Sequence, residues 1–292
     1  MTASYGTGAV DAVVVAYDSA STLEACLRSL LAQPPLVRLV VVDNGSRDDS
    51  RARVRAMAAG EPRLSLLELD HNPGFAAACN AGAAAGDSPW LLFVNPDCEL
   101  PQGTLERLLA HAATLRAPGA LGADLRDAEG RRDAAARRHD LSLGRLLAAR
   151  GGRDALAIPV EEGRALQPVE ACSGALMLVP RAAFERIGGW DAGYRLHVED
   201  LDFCRRLREA GFAVAVANDV PVLHHRGVSS RARPLFVEWH KHRGLWRYWR
   251  RFEAPGRAWG WQPLVALALA ARFTLIALPR AMLGARSRRR AR

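Results

Sequence analysis

Val37-Arg38-Leu39-Val40-Val41-Val42 runs without a break into Asp43-Asn44-Gly45-Ser46, so a short β-branched stretch ends abruptly in turn-forming and hydrogen-bonding residues. A run this short and this rich in valine reads as a buried strand, not a helix. Val10 to Ala16 reads the same way, and between the two Thr22 to Gln33 sets Leu23, Cys26, Leu27, Leu30 and Leu31 at helical spacing. Downstream the alternation continues: Arg47 to Ala59 as helix, Leu64 to Leu67 as strand, Phe75 to Ala85 as helix and Trp90 to Val94 as strand. Repeated strand-helix units with near-continuous apolar strands predict an α/β fold, a mostly parallel sheet covered by helices on both faces.

Between Arg126 and Gln167 the chain is rich in Arg, Asp, Gly and Ala without a clean period. It reads as a variable excursion with one helix around Leu141 to Ala149. Order returns with Val169 to Val179 as a strand, a helix from near Glu199 to Ala210 and a strand from Ala213 to Ala217. The five cysteines lack C-x-x-C spacing and are odd in number, which favours a reducing compartment over a disulfide framework or zinc site. Met1 to Gly8 has no apolar core of a secretory signal, so a cytoplasmic protein is expected.

Charge divides the chain. From Arg226 onward 16 Lys/Arg face two acids, Glu238 and Glu253, a balance of +14 within a net +9, which leaves about −5 for the rest. A basic tail predicts an acidic partner, anionic lipid or nucleic acid.

The chemistry-bearing residues cluster where strands end, and open α/β sheets bind ligands at the carboxyl ends of strands. Asp43 there can accept hydrogen bonds from a base or ribose, although Asn44-Gly45 also suits a tight turn and Ser46 a helix cap. Phe93-Val94 runs into Asn95-Pro96-Asp97, which sets one carboxylate where a diphosphate and a hard cation could meet, or simply forms a turn. Glu199, Asp200 and Asp202 crowd the first turn of a helix. The helix dipole favours acids there, and mutual repulsion also raises the pKa of at least one of them toward general-base duty. His224-His225 next to Arg226 ends an apolar stretch and suits a metal or phosphate role.

Taken in order, these segments resemble family 2 glycosyltransferases of GT-A fold, in the rhamnosyltransferase-like branch. The resemblance runs from about Val13 to Ser229. It is carried by Val15-Ala16-Tyr17-Asp18-Ser19, Val42-Asp43-Asn44-Gly45-Ser46, Asn72-Pro73-Gly74-Phe75, Asn80-Ala81-Gly82, Asn95-Pro96-Asp97, Ser173-Gly174-Ala175, Gly188-Gly189-Trp190-Asp191, Glu199-Asp200-Leu201-Asp202 and His224. It implies an inverting, metal-dependent transfer of a sugar from a nucleotide-sugar donor to a glycan or lipid-linked acceptor in cell-envelope polysaccharide synthesis. The first choice of donor is dTDP-rhamnose; UDP-galactofuranose is the alternative. On this reading Tyr17, Asp18, Asp43, Asn44, Asn72, Gly74, Phe75, Asn80, Asn95 and Asp97 hold the donor. Asp97 and His224 bind Mg²⁺ or Mn²⁺, Asp200 is the base, and Trp190, Asp191, Glu199 and Asp202 build the acceptor side. The chain departs from the family with Asp18 where Asn is usual after the tyrosine, and with Trp190 in the Gly-Gly-Phe-Asp turn.

The implied organisation is a catalytic domain over 1–230, with a nucleotide-binding half of about 9–125 and an acceptor half of about 168–230, followed by a basic, Trp-rich helical tail over 231–292. Trp239, Trp246, Tyr248, Trp249, Trp259 and Trp261 stand among arginines, and the apolar run Pro263 to Pro279 is interrupted by Arg272. These features predict an interfacial helix on the cytoplasmic face of a membrane, with Arg286 to Arg292 adding electrostatic attachment. The other reading of the tail is a helix pair packed on the core. Rival functions fare worse. A sugar-phosphate nucleotidylyltransferase needs a Gly-rich basic loop after the first strand, where this chain has Tyr17-Asp18-Ser19-Ala20, and nucleic-acid binding lacks a recognition motif. A catalytically dead binding module has no need of Asp97, Asp200 and His224.

Overall fold

A computed structural model describes residues 8–142, 144–145, 156–225 and 234–279. The first strand, β1 (Val10–Ala16), is buried along its whole length, and alternate side chains serve opposite faces: Ala12 and Val14 join one core, Val13 and Val15 the other. It lies between β2 (Leu36–Asp43) and β4 (Trp90–Val94), parallel to both, while β3 (Leu64–Glu68) extends the sheet beyond β2. One core is closed by α1 (Leu23–Leu31), α2 (Ser50–Ala58) and α4 (Thr104–Ala113) through Leu23, Leu27, Leu30, Val54, Leu105 and Leu108. The other is closed by α3 (Phe75–Ala83), α5 (Arg181–Arg186) and α6 (Glu199–Glu209). The mostly parallel sheet with helices on both faces is therefore as expected.

Beyond β4 the order is β10 (Leu176–Pro180), β6 (Pro118–Arg126), β11 (Ala213–His224) and β5 (Cys98–Glu99). β10 is antiparallel to β4 and to β6, whereas β6 and β11 run parallel. The carboxyl ends of β1, β2, β4, β6 and β11 thus share one edge, and β10 begins there.

Two expected strands differ in a way that shapes the site. Val169 to Val179 is not continuous: Ala171–Cys172 (β9) pairs with Arg137–Arg138 (β7), and Ser173-Gly174-Ala175 turns the chain before β10. The strand expected over Ala213 to Ala217 continues to His224, with a register shift between Ala217 and Pro221. A short strand, β8 (Leu166–Pro168), flanks it. Most of the helix expected over Leu141 to Ala149, and Arg226 with the boundary near Ser230, lie outside the described residues.

The tail opens with α7 (Pro234–Tyr248), which continues through a π-helical turn, Trp249–Glu253. Leu245, Tyr248 and Trp249 are buried, the first two within the second core. α8 (Trp261–Arg272) packs back on α7, where Arg272 donates to His242 Nε2 at 2.8 Å.

Candidate active site

In-register pairing sets the edge. Val14 is level with Val41 and Val94, and Ala16 with Asp43, so Tyr17, Asn44 and Asn95 leave the sheet side by side. The first two loops are laced together by side chains: Asp18 N–H donates to Ser46 Oγ at 3.1 Å, Arg47 N–H to Asp18 Oδ1 at 2.8 Å, and Ser19 N–H to Ser50 Oγ at 3.0 Å. Asp43 Oδ2 receives Gly45 N–H, Ser46 N–H and Arg51 Nε. Asp43 Oδ1 and Asn44 Oδ1 are buried and have no hydrogen-bond partner among the described residues. Orphaned buried acceptors are costly, of order 1–3 kcal/mol each, and a pair of them at a strand's carboxyl end suits a ligand that donates N–H or O–H.

The loop after β3 completes this side. Asn72 Oδ1 accepts from Asn44 Nδ2 at 3.1 Å and from Gly74 N–H at 3.0 Å. Gly74 has φ +107°, and a Cβ there would sit 2.8 Å from the Arg195 carbonyl oxygen, so only glycine lets the two loops touch. Phe75 meets the edge of Trp190 at 5.7 Å. Asn80 stands apart from this set: its amide exchanges two hydrogen bonds with the backbone of Trp190, at 2.8 and 2.9 Å, and fixes the Gly189-Trp190 turn.

At the other end of the edge, β11 pairs with β5 so that His224 lies opposite Cys98. This brings His224 Nε2 to 3.4 Å from Asp97 Oδ1, and His224 Nδ1 to 3.4 Å from Asp133 Oδ2. Asp97, Cys98 and His224 place one ligand atom each within 4.8 Å of one another. Burial pushes the Cys98 thiol far up, and it donates to the Ala175 carbonyl, so the ligands left for a cation are Asp97 and His224. His224 Nδ1 is buried without a hydrogen-bond partner among the described residues, and an imidazole held between two carboxylates suits a divalent cation.

The acidic helix start lies next to this. Asp18 (φ 48°), His197 (φ 64°) and Val198 (φ 74°) are the non-glycine residues with positive φ among those described, and all three border the site. For a β-branched residue such as Val198 this is strained backbone, costing about 1–3 kcal/mol, and strain of that kind gathers at functional sites. The turn delivers Glu199 and Asp200 to the edge. Asp200 Oδ2 accepts from Arg138 Nη2 at 2.5 Å and from Gly174 N–H at 3.2 Å. Burial pushes its carboxyl up, but the Arg138 guanidinium and the Gly174 N–H outweigh burial and hold it below its ordinary value. Glu199 goes the other way: burial, reinforced by the charge of Asp200, raises its carboxyl, and Oε2 has no partner among the described residues. Two adjacent carboxyls with opposed shifts make an acid and an anion at neutral pH.

Asp202, half a turn further, points away from Asp200. It is fully buried, accepts from Arg206 Nε at 2.6 Å, and lies 3.3 Å from both Tyr194 Oη and Arg251 Nη1. Asp191 accepts from Arg247 at 2.9 and 3.0 Å and from Arg251 at 3.0 Å. Both acids bind the tail to the catalytic core. Trp190 stacks on Phe203 at 4.2 Å and meets Phe93 edge-on at 5.2 Å, so it floors the site from below. Arg138 and Asp133 escaped sequence reasoning. They sit in the patternless stretch after Arg126, where two-residue strand β7 gives no periodic signal.

A sheet edge that offers orphaned acceptors at one end, the candidate cation ligands Asp97 and His224 at the other and a salt-bridged carboxylate between them fits a glycosyltransferase of GT-A fold. The Glycosyl transferase family 2 model matches residues 11–187, and the chain belongs to that family, in its rhamnosyltransferase-like branch. It is 31% identical over 277 residues to the N-acetylglucosaminyl-diphospho-decaprenol L-rhamnosyltransferase of Mycobacterium tuberculosis, covering 82% of this chain and 87% of that one. It is 25% identical over 217 residues to rhamnosyltransferase WbbL of Escherichia coli, covering 73% and 80%. Among solved structures, the Pyrobaculum calidifontis mannosyltransferase PcManGT in complex with GDP-Man and Mn²⁺ superposes with a TM-score of 0.60 at 20% identity, over 97% of this chain and 75% of that one.

Proposed function

We propose that the protein is an inverting, metal-dependent rhamnosyltransferase that moves rhamnose from dTDP-rhamnose to a lipid-linked glycan acceptor at the cytoplasmic face of a membrane. The observation that carries this reading is the Ser173-Gly174-Ala175 turn. Its Ala175 carbonyl accepts Asn95 N–H at 2.8 Å beside the cation pair, and its Gly174 N–H donates to Asp200, so the donor side and the base are held one residue apart.

Asp43 Oδ1 and Asn44 Oδ1 receive N–H or O–H groups of the nucleoside, with Tyr17, Asp18, Asn72, Gly74 and Phe75 walling the pocket. Asp97 and His224 would hold Mg²⁺ or Mn²⁺, which would neutralise charge on the departing nucleoside diphosphate. Asn95 and Asp97 keep the diphosphate at the β4 edge. The acceptor hydroxyl attacks the anomeric carbon as the bond to the diphosphate oxygen breaks. The leaving group takes the bonding electrons, Asp200 takes the hydroxyl proton, and a single displacement inverts the centre. Arg138 keeps Asp200 ionised, and protonated Glu199 can donate a hydrogen bond to the acceptor. The relatives' names support the sugar and the diphospho-lipid acceptor.

The test is purified protein offered dTDP-rhamnose, UDP-galactofuranose and other nucleotide sugars, with a GlcNAc-diphospho-lipid acceptor, with and without EDTA. Metal-dependent rhamnosyl transfer with inversion is expected. Turnover of a different donor alone, retention of configuration, or full activity in EDTA would overturn the corresponding part.

A further inference from the structure

Arg51 is the second residue of α2, a helix with no acid in its first turn. A cation there opposes the helix dipole, so local preference does not explain it. Its partner does. Arg51 Nε donates to Asp43 Oδ2 at 2.5 Å. One turn further along the same face, Arg55 Nε donates to Glu68 Oε1 at 3.1 Å, and Glu68 lies level with Asp43 on the neighbouring strand β3. Two arginines of one helix thus meet the acids that end two adjacent strands, Arg51 serving Asp43 and Arg55 serving Glu68.

The contact decides how the Asp43 carboxylate is turned. Oδ2 accepts Gly45 N–H at 3.1 Å, Ser46 N–H at 3.0 Å and Arg51 Nε–H, three donors on one oxygen. Oδ1 is buried and accepts nothing among the described residues. The backbone donors come from the turn that Asp43 itself begins, and Arg51 adds a donor from α2, so two elements fix the carboxylate plane. Asp43 ends β2, two strands from β4, whose loop carries Asp97. Two strand spacings come to about 10 Å. That separation exceeds a ribose and suits a ribose plus its base, so a nucleotide whose diphosphate lies at Asp97 brings its base to Asp43.

We propose that Arg51 is a positioning residue for base recognition: by holding Oδ2 it presents Oδ1 to the ring, and so selects a base that offers an N–H there. Thymine and uracil do so at N3, and cytosine does not. This rests on the nucleotide reading given above and adds the side chain that sets its selectivity. A buried acceptor that faces a ring nitrogen's lone pair stays unpaired, which is what rejects the wrong base. A mere clamp between helix and sheet would engage Arg51 and Arg55 alike, without regard to the base.

The experiment titrates the full-length chain and its Arg51→Met, Arg51→Lys and Arg55→Met variants with dTDP, N3-methyl-dTDP and 5-methyl-dCDP by calorimetry, alongside thermal unfolding. Arg51 is 32% exposed, so these changes open no sealed cavity. Wild type is expected to bind dTDP more tightly than either analogue by roughly tenfold or more, the scale of one charge-assisted hydrogen bond. Arg51→Met should lose most of that ratio through weaker dTDP binding. Arg51→Lys, which keeps the charge but not the Nε geometry, should recover part of it. Arg55→Met should keep the ratio even where its Tm falls. An intact ratio in Arg51→Met, or an equal collapse in Arg55→Met, overturns the role of Arg51 and leaves the donor reading standing. A wild type that does not prefer dTDP to N3-methyl-dTDP overturns the assignment of Asp43 to the base, and the proposal with it.

Discussion

Arg138 Nη2 donates to Asp200 Oδ2 at 2.5 Å while the same nitrogen reaches the Cys172 carbonyl at 2.9 Å, so one guanidinium pins the carboxylate to strand β9. A base must be ionised before it can take a proton, and burial works against that. Arg138 opposes burial. Replacing it with methionine keeps much of the volume and removes the charge.

Arg138→Met should therefore raise the pKa of Asp200 and move the acid limb of the kcat/KM profile to higher pH, with kcat lowered near neutrality. Arg138→Lys should restore part of the shift. A pH profile whose acid limb stays in place in both variants would show that Arg138 only supports the fold.

Asp200→Asn should retain nucleotide binding and lower turnover by roughly 10²-fold or more, the usual scale for a positioned general base. If Glu199→Gln is the more damaging change, the base is the neighbouring carboxyl instead. Glu199 makes a separate prediction about stability. Its carboxyl is pushed up to about 8 by burial and by Asp200. The folded state thus holds a proton that the unfolded state releases near 4.5, so this group costs stability increasingly as pH rises from about 5 to 8, and no further above that. Glu199→Gln removes that cost, and its Tm advantage over wild type should grow across this window; an advantage independent of pH would refute the assignment.

The fold was legible because its strands are short, β-branched and buried on both faces: Val10 to Ala16 and Leu36 to Asp43 carry their period in the side chains themselves. The edge residues were legible for the same reason, since each follows a readable strand. What escaped was fixed by long-range pairing. Arg138 reaches Asp200 across 62 positions and Asn218 meets Arg137 across 81, contacts that no local pattern encodes. Asp191 and Asp202 look like active-site acids in sequence because charge alone does not say which face of a turn or helix it occupies. Packing sets Asp202 against Arg206 and Tyr194, one half-turn from Asp200.

The cation pair makes its own prediction. Asp97→Asn and His224→Gln should each weaken Mn²⁺ binding, read directly by electron paramagnetic resonance, and abolish most metal-dependent turnover. Asp133→Asn should act more mildly, because it meets His224 on the nitrogen away from Asp97. Second-layer partners of this kind typically cost 10- to 100-fold in metal affinity. Equal Mn²⁺ affinity in wild type and Asp97→Asn would move the cation elsewhere.

The tail divides into a docked half and a presented half, and the two should separate experimentally. α7 is tied in by Arg247 and Arg251 on Asp191, by Arg251 on Asp202, and by Tyr248, which is fully buried. Beyond it, Trp259 is 86% exposed, Leu264 60%, Leu267 68% and Leu275 75%, an apolar surface left facing solvent. No helix among the described residues is long and apolar enough to cross a membrane, so such a surface suits shallow insertion at an interface. Basic residues near an anionic surface add about 1 kcal/mol each, and salt screens that contribution. Deleting Leu264 to Arg292 should release the protein from anionic vesicles while α7 stays docked and nucleotide affinity is kept. Arg247→Ala with Arg251→Ala should do the reverse: vesicle binding persists, but loss of the clamp on Asp191 and Asp202 lowers Tm and loosens the His197-Val198 turn, reducing turnover. Co-sedimentation at low and high salt, with thermal unfolding of both variants, decides the matter; vesicle binding unaffected by the deletion would show that α8 does not meet the membrane.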